Sequence, residues 1–180
     1  MRKLILQLAV SLDGYIEGPN GEYDWCFMDQ DYGMSAFFKR IDSSFMGRKS
    51  YELALSINPA DIPDHPKLTN YVFSTTLKNV RPGEILINGD IEAEVKRIKD
   101  EPGKDIWLFG GASLTSSLLN LGLVDEMSLA IHPILLGRGK PLFSNIMSRI
   151  PLKLADTKRY SSGLVTLIYS LEQEKKINVT

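Results

Sequence analysis

Three stretches of this sequence put glycines, hydroxyls or cations where an apolar run ends. In the first, Ile106-Trp107-Leu108-Phe109 gives way to Gly110-Gly111-Ala112-Ser113 and then to a helix-forming run. A helix amino terminus exposes unpaired N–H groups and the positive end of the helix dipole, and glycines before it let a phosphate approach. A plain strand-to-helix turn uses the same residues, and this stretch lacks the GxGxxG fingerprint. The second is Met46-Gly47-Arg48-Lys49-Ser50. Two cations open a helix there, which is unfavourable without a nearby anion. Such a local inconsistency points to an anion site rather than to a solvated basic turn. The third, Ser74-Thr75-Thr76, closes the apolar run Tyr71-Val72-Phe73. Taken alone, these are routine strand-end hydroxyls. Ligands of open α/β sheets bind beyond the carboxyl ends of strands, so three such junctions would converge on a polyphosphate ligand.

The elements that must position these residues follow from periodicity. Lys3 to Val10 is an apolar run of strand length bounded by the turn dipeptide Asp13-Gly14. Met34, Phe37, Phe38 and Ile41 predict an amphipathic helix over 31–41. A short strand at 44–46 and a helix over 48–55 follow. Pro59, Pro63 and Pro66 make 56–69 a loop, with His65 at the surface. Strands at 71–73 and 84–87 flank the turn Arg81-Pro82-Gly83. Ile91, Val95 and Ile98 predict a helix that Asn88 or Asp90 caps. A strand at 106–109 leads into a helix reaching Leu121-Gly122. Strands alternating with helices predict a largely parallel sheet with helices on both faces. The runs 126–134, 152–160 and 164–171 read as strands without helices between them, the last two joined at Ser161-Ser162-Gly163. The expectation is one domain over 1–180: an α/β body with a mixed, mostly parallel sheet and antiparallel carboxyl-terminal strands.

Composition narrows the function classes. The chain has 180 residues, 43% hydrophobic and 24% charged, with a formal net charge of -1. That balance argues against broad binding to nucleic acid or to an anionic membrane. No apolar stretch has the length of a membrane span. MRKLILQLAV is too short for a signal peptide's apolar region plus cleavage site. Cys26 is the only cysteine, so no internal disulfide forms, and a reduced, cytoplasmic setting is expected.

SLDGYI at 11–16, MGRKSYE at 46–52, FSTT at 73–76, FGGASL at 109–114 and HPILLGRGKPLF at 132–143 occur in that order. Together they resemble the dihydrofolate reductase-like superfamily, and within it the reductase domain of the riboflavin-pathway deaminase-reductase and its stand-alone bacterial relatives. The resemblance runs from Lys3 to about Tyr169. It implies a dihydrofolate reductase-like fold and NADPH as hydride donor. Ala9 and Ile16 would flank the nicotinamide. Gly47, Arg48, Lys49, Ser74 and Thr75 would hold the adenosine side and its 2′-phosphate. Gly110, Gly111, Ala112 and Ser113 would cradle the pyrophosphate.

Dihydrofolate reductases also set a buried carboxylate after the first loop, and Asp31 lies in that region. The same residue reads equally as a helix N-cap. Arg138 and Lys140 are candidates to meet a substrate's ribose phosphate, or are simply exposed loop cations. His132, on a strand, reads as a packed residue rather than a catalyst. A zinc deaminase needs clustered cysteine and histidine, which one Cys and two separated His do not supply; no metal is expected. The implied reaction is hydride transfer to sugar C1 of a ring-opened ribosylamino-pyrimidine phosphate, giving a ribityl product. Alternatives are dihydrofolate reduction, or a non-catalytic NADP-binding regulatory protein. The resemblance also implies a homodimer paired through the sheet, and the tail would otherwise leave an exposed edge.

Overall fold

The computed structural model describes residues 1–56 and 66–171, so Pro59, Pro63 and His65 lie outside the described residues. In chain order the elements are β1 (Leu4–Ser11), β2 (Tyr15–Glu17), α1 (Met34–Arg40), β3 (Ile41–Gly47), α2 (Arg48–Ser56), β4 (Thr69–Phe73), β5 (Ile85–Ile87), α3 (Ile91–Asp100), β6 (Asp105–Gly110), α4 (Ala112–Asn120), β7 (Glu126–His132), β8 (Lys140–Pro141), β9 (Leu152–Arg159) and β10 (Val165–Leu171). Eight strands form one sheet in the order β5-β4-β3-β6-β1-β7-β10-β9. The pairs from β5 through β7 are all parallel, and β10 runs antiparallel to both of its neighbours. Among the described residues no helix is long and apolar enough to cross a membrane.

Alternation along the central strands decides which helix covers which face. Leu4, Leu6, Ile106 and Leu108 join the cluster that holds Val95 and Ile98 of α3 and Leu114 and Leu118 of α4. Their neighbours Ile5 and Trp107 join Phe37 of α1. Met46 and Val72 join Tyr51 of α2. Successive strand side chains point to opposite faces, so α3 and α4 cover one face and α1 and α2 the other. The parallel strands are buried on both sides, which is why they read as continuous apolar runs.

Three features differ from the expectation. β7 is part of the parallel body: it pairs with β1, Ala9 opposite Ala130. α4 is the crossover that carries the chain from β6 past β1, and a strand reached by such a crossover returns parallel. The first helix begins at Met34, not Asp31, because Tyr32 (φ 49°) and Gly33 (φ 85°) adopt left-handed backbone that a helix cannot include. A separate antiparallel ribbon of β2 and β8 also forms. With three and two residues, its strands are too short to show any period.

Charges at the amino-terminal edge of the sheet are paired within the fold. Arg2 is buried, donates to the Ser43 hydroxyl at 2.7 Å and pairs with Asp42. Lys99, 2% exposed, donates to the Leu123 carbonyl at 2.9 Å and to Asp125 at 2.6 Å. Asp125 also accepts from the Leu4 N–H at 2.7 Å. Removing one partner of a buried pair leaves an uncompensated charge. Asp125→Ala is expected to cost about 3 kcal/mol, or roughly 10 °C in Tm, in a denaturant or thermal melt. An unchanged melt would show that the Lys99 ammonium finds another partner.

Candidate functional site

β3, β4, β5 and β6 are mutually parallel, so their carboxyl ends share one edge, and all three junctions singled out in the sequence meet there. They enclose a cavity of about 410 Å³ lined by Gly47, Arg48, Lys49, Ser74, Thr75, Gly111, Ala112 and Ser113. Ser50, in the first turn of α2, accepts a hydrogen bond at 2.8 Å from the Gly111 N–H that opens α4. The two helix amino termini are thus locked side by side. A Cβ at Gly111 would stand 3.1 Å from the Ser50 hydroxyl, tighter than most side-chain contacts. Gly110 turns the strand at φ +109°, which favours glycine.

Neither α2 nor α4 has an acidic residue in its first turn, and Gly111 gives α4 no side-chain cap. α3 differs: the Asp90 side chain accepts from Glu92 and Ala93 N–H groups, and Glu92 and Glu94 follow. α2 and α4 therefore present positive dipole ends to the cavity without an anion of their own. Arg48 is held by Glu52 at 2.8 Å one turn on, and among the described residues Lys49 has no carboxylate partner. The arrangement suits a ligand with several negative charges. Asn88 and Gly89, after β5, also line the cavity. They end a fourth apolar run at Ile87, the same signal as the other three junctions, but the sequence shows Asn88 only as a possible helix cap.

The other predicted residues lie elsewhere. Ala9 is half-buried on β1, and Ile16 on β2 packs against the main core; neither lines this cavity, nor does Gly110. Lys140 does line it, with its ammonium 3.3 Å from Glu17. Arg138 is exposed and near enough to Glu22 to help hold that carboxyl below its ordinary range. Asp31 is exposed. It accepts from the Ser35 N–H at 2.8 Å and hydroxyl at 2.7 Å, and from the Gly33 N–H at 3.0 Å. These bonds, chiefly those from Ser35, hold its carboxyl below the ordinary range. The carboxylate ties down the approach to α1.

Asp13 does more than turn the chain. It accepts from the Ser11 hydroxyl at 2.6 Å, the Leu136 N–H at 3.1 Å and the Gly137 N–H at 2.8 Å, which lowers its pKa. One carboxylate thereby fastens the loop after β1 to the loop after β7, 124 positions away. No local pattern carries such a contact.

Residues 2–166 match the family model of the RibD C-terminal domain. The chain belongs to that family. It is 49% identical over 177 residues to YyaP of Bacillus subtilis (strain 168), an uncharacterized protein, covering 93% of this chain and 94% of YyaP. A crystal structure from Shewanella sp. PV-4, provisionally named a riboflavin biosynthesis protein, superposes with TM-score 0.82 at 26% identity, covering 96% of this chain and all of that one. The Thermotoga maritima diaminohydroxyphosphoribosylaminopyrimidine deaminase/5-amino-6-(5-phosphoribosylamino)uracil reductase superposes with TM-score 0.74 at 15% identity, over 95% of this chain and 57% of that one. That second likeness shows the fold alone. The fold is the dihydrofolate reductase-like one of RibD reductase domains.

In this RibD C-terminal domain, His132 is the hinge of a second cluster. It is 2% exposed at the end of β7. Its Nδ1 faces the Ala130 carbonyl at 3.0 Å, and its Nε2 accepts from the Phe27 N–H at 3.1 Å. That pairing assigns the neutral tautomer with the proton on Nδ1. The rings of Trp25 and Phe27 lie 5.2 Å and 5.1 Å from the imidazole. His132 thus pins the 25–27 segment, and burial holds its pKa below the ordinary 6.5. Between that value and the lower folded one, the unfolded chain binds a proton that the native state does not. Stability is therefore fully present above about pH 6.5 and is lost as pH falls through the folded value. Urea midpoints measured from pH 7.5 to 5 are expected to fall more steeply for the native chain than for His132→Gln. Parallel curves would remove His132 as the source.

Proposed function

We propose that the chain is an NADPH-dependent reductase acting on a ribosylamino-pyrimidine phosphate, the substrate class named for the Thermotoga maritima reductase, or on a related pyrimidine. The observation that carries this reading is the convergence of two acid-free helix amino termini with Arg48 and Lys49 on one cavity. The donor set fits the dinucleotide. Backbone N–H groups at Ala112 and Ser113 suit a diphosphate, with the Gly111 N–H holding the two helix termini together through Ser50. Arg48 and Lys49, with the hydroxyls of Ser74 and Thr75, suit one further phosphate monoester, the feature that separates NADPH from NADH.

When bound, NADPH supplies the hydride. The protein's own part is binding and orientation. Gly47, Arg48, Lys49, Ser74 and Thr75 hold the adenosine end. Gly111 to Ser113 cradle the diphosphate, after the turn that Gly110 makes. Ala9 and Ile16 shape the space for the nicotinamide, on β1 and on the strand that follows it. The exposed Arg138 is the cation assigned to an acceptor's phosphate in this reading. Asp31 is committed to the turn before α1 and is given no chemical step, which favours a pyrimidine over dihydrofolate. The homodimer belongs to the same proposal: β9 ends the sheet with every residue exposed, an open edge for a second copy.

Quenching of Trp25 and Trp107 on titration with NADPH and, separately, with NADH tests the cofactor. NADPH is expected to bind far more tightly. Arg48→Ala with Lys49→Ala is expected to weaken NADPH by roughly a hundredfold and NADH much less, since two charge-assisted contacts are lost. Equal affinities for the two dinucleotides in the native chain would remove the 2′-phosphate assignment. No binding of either would end the reductase reading.

A further inference from the structure

Lys140 reaches the cavity from outside the parallel frame. β8 pairs with β2, Glu17 beside Lys140, and the ribbon is closed by the Leu142 N–H donating to the Gly14 carbonyl at 2.9 Å. Gly139 lies so close that a Cβ there would overlap the Glu17 carbonyl oxygen, at a φ of +149° that also favours glycine. Asp13 holds the preceding turn through Leu136 and Gly137. The backbone that carries Lys140 is therefore fixed.

A second cavity of about 590 Å³ runs beneath this ribbon, and it shares Lys49 and Lys140 with the first. The two lysines stand where the cavities meet, one on α2 and one on β8. Sheet order gives the groove a direction. Ser74 and Asn88 follow β4 and β5 at one end. The amino termini of α2 and α4 follow β3 and β6 in the middle. The ribbon, continuing β1, lies at the other end. A lysine that shares a cavity with two helix amino termini and another lysine is unfavourable without an anion. Glu17 supplies that anion at 3.3 Å.

We propose that Lys140 is a cation of the nucleotide site, taking a phosphate oxygen at the end of the groove away from Ser74, and that Glu17 is the internal counter-ion which the phosphate displaces. This rests on the NADPH reading and extends it to a residue that the family resemblance placed with the substrate. Glu17 then plays two parts: it orients the ammonium and lowers the positive charge of an empty groove. The phosphate must compete with a carboxylate, which favours ligands with several charges.

Calorimetric titration of the protein with NADP⁺, which has no hydride to transfer, tests this. Lys140→Met is expected to weaken NADP⁺ roughly tenfold, and Lys140→Arg to restore most of the loss, because one charge-assisted contact is removed and then replaced. Glu17→Gln keeps an acceptor for the ammonium but no charge, so it is expected to tighten NADP⁺ severalfold. Adenosine 2′,5′-bisphosphate, which ends before the far part of the groove, is expected to bind all variants alike. Unchanged NADP⁺ affinity in Lys140→Met would overturn the proposal. So would equal weakening by Lys140→Met and Glu17→Gln, which would make the pair a strut of the ribbon. If the native chain takes no NADP⁺, the cofactor reading fails, and inorganic pyrophosphate with the same variants decides the role of Lys140. Loss of pyrophosphate binding in Lys140→Met keeps it as an anion ligand; no difference, or no binding by the native chain, overturns it.

Discussion

A parallel sheet puts the carboxyl ends of its strands on one edge, and each chain leaving that edge must turn there. The constraint organises the molecule. Where the turn leads straight into a helix, as at Gly47 and Gly111, the first N–H groups of the helix have no partner of their own. Two such helices side by side double the local positive potential. The Ser50 hydroxyl links them by accepting the Gly111 N–H, which satisfies one donor and holds both termini at a fixed spacing. The remaining donors face the cavity. Arg48 and Lys49 add full charges to those partial ones. The edge has a surplus of positive potential by construction, before any particular ligand is considered.

The opposite edge shows how the same fold treats charge when no ligand is involved. Arg2 meets Asp42 and Ser43, and Lys99 meets Asp125 and the Leu123 carbonyl. Each buried cation is matched inside the chain, as the cost of burying charge requires. The contrast separates an edge whose buried cations are paired within the chain from one whose helix amino termini carry no anion of their own. It also explains why α3 carries its own cap and two acidic residues in its first turn while α2 and α4 carry neither. Electrostatics that are complete within one helix are deferred to a partner in the other two.

How much of this could be read from the sequence depended on the range of the contacts. The strand–glycine–helix junctions at 47 and 111 are local and could be read without any knowledge of the fold: Arg48 and Lys49 suggest an anion at the first, while the second reads equally as a plain turn until the fold sets the two side by side. The parallel body follows from alternation of short apolar runs with helices. β7 was harder, since nothing in Glu126–His132 itself says which way it runs; only α4, as a crossover from β6, fixes its direction. Tyr32 and Gly33 end the helical pattern through backbone angles that composition does not encode. The ribbon of β2 and β8 lay out of reach, because five residues cannot show a period. The role of Asp13 was hidden for the same reason. In the sequence it is a turn residue before glycine, and only the fold brings Leu136 and Gly137 to it.

That division by range has a chemical meaning. The cavity at the carboxyl ends of β3 to β6 is built from turns, each fixed by residues close in sequence to the strand it follows. The segments outside the parallel frame are held instead by contacts spanning more than a hundred positions: Asp13 to Gly137, Glu17 to Lys140, Phe27 to His132. Changes in the turns act on the cavity directly, because they shift the helix termini that line it. Changes in the 134–142 segment leave the parallel frame intact and reach the cavity through the ribbon that carries Lys140. This part of the chain has the least local structure of its own and is held by one exposed carboxylate, Asp13, and one partly exposed ion pair, Glu17 with Lys140. In the His132 cluster, a neutral imidazole does the same work for the 25–27 segment with no charge at all, so that anchorage weakens as acid protonates the ring.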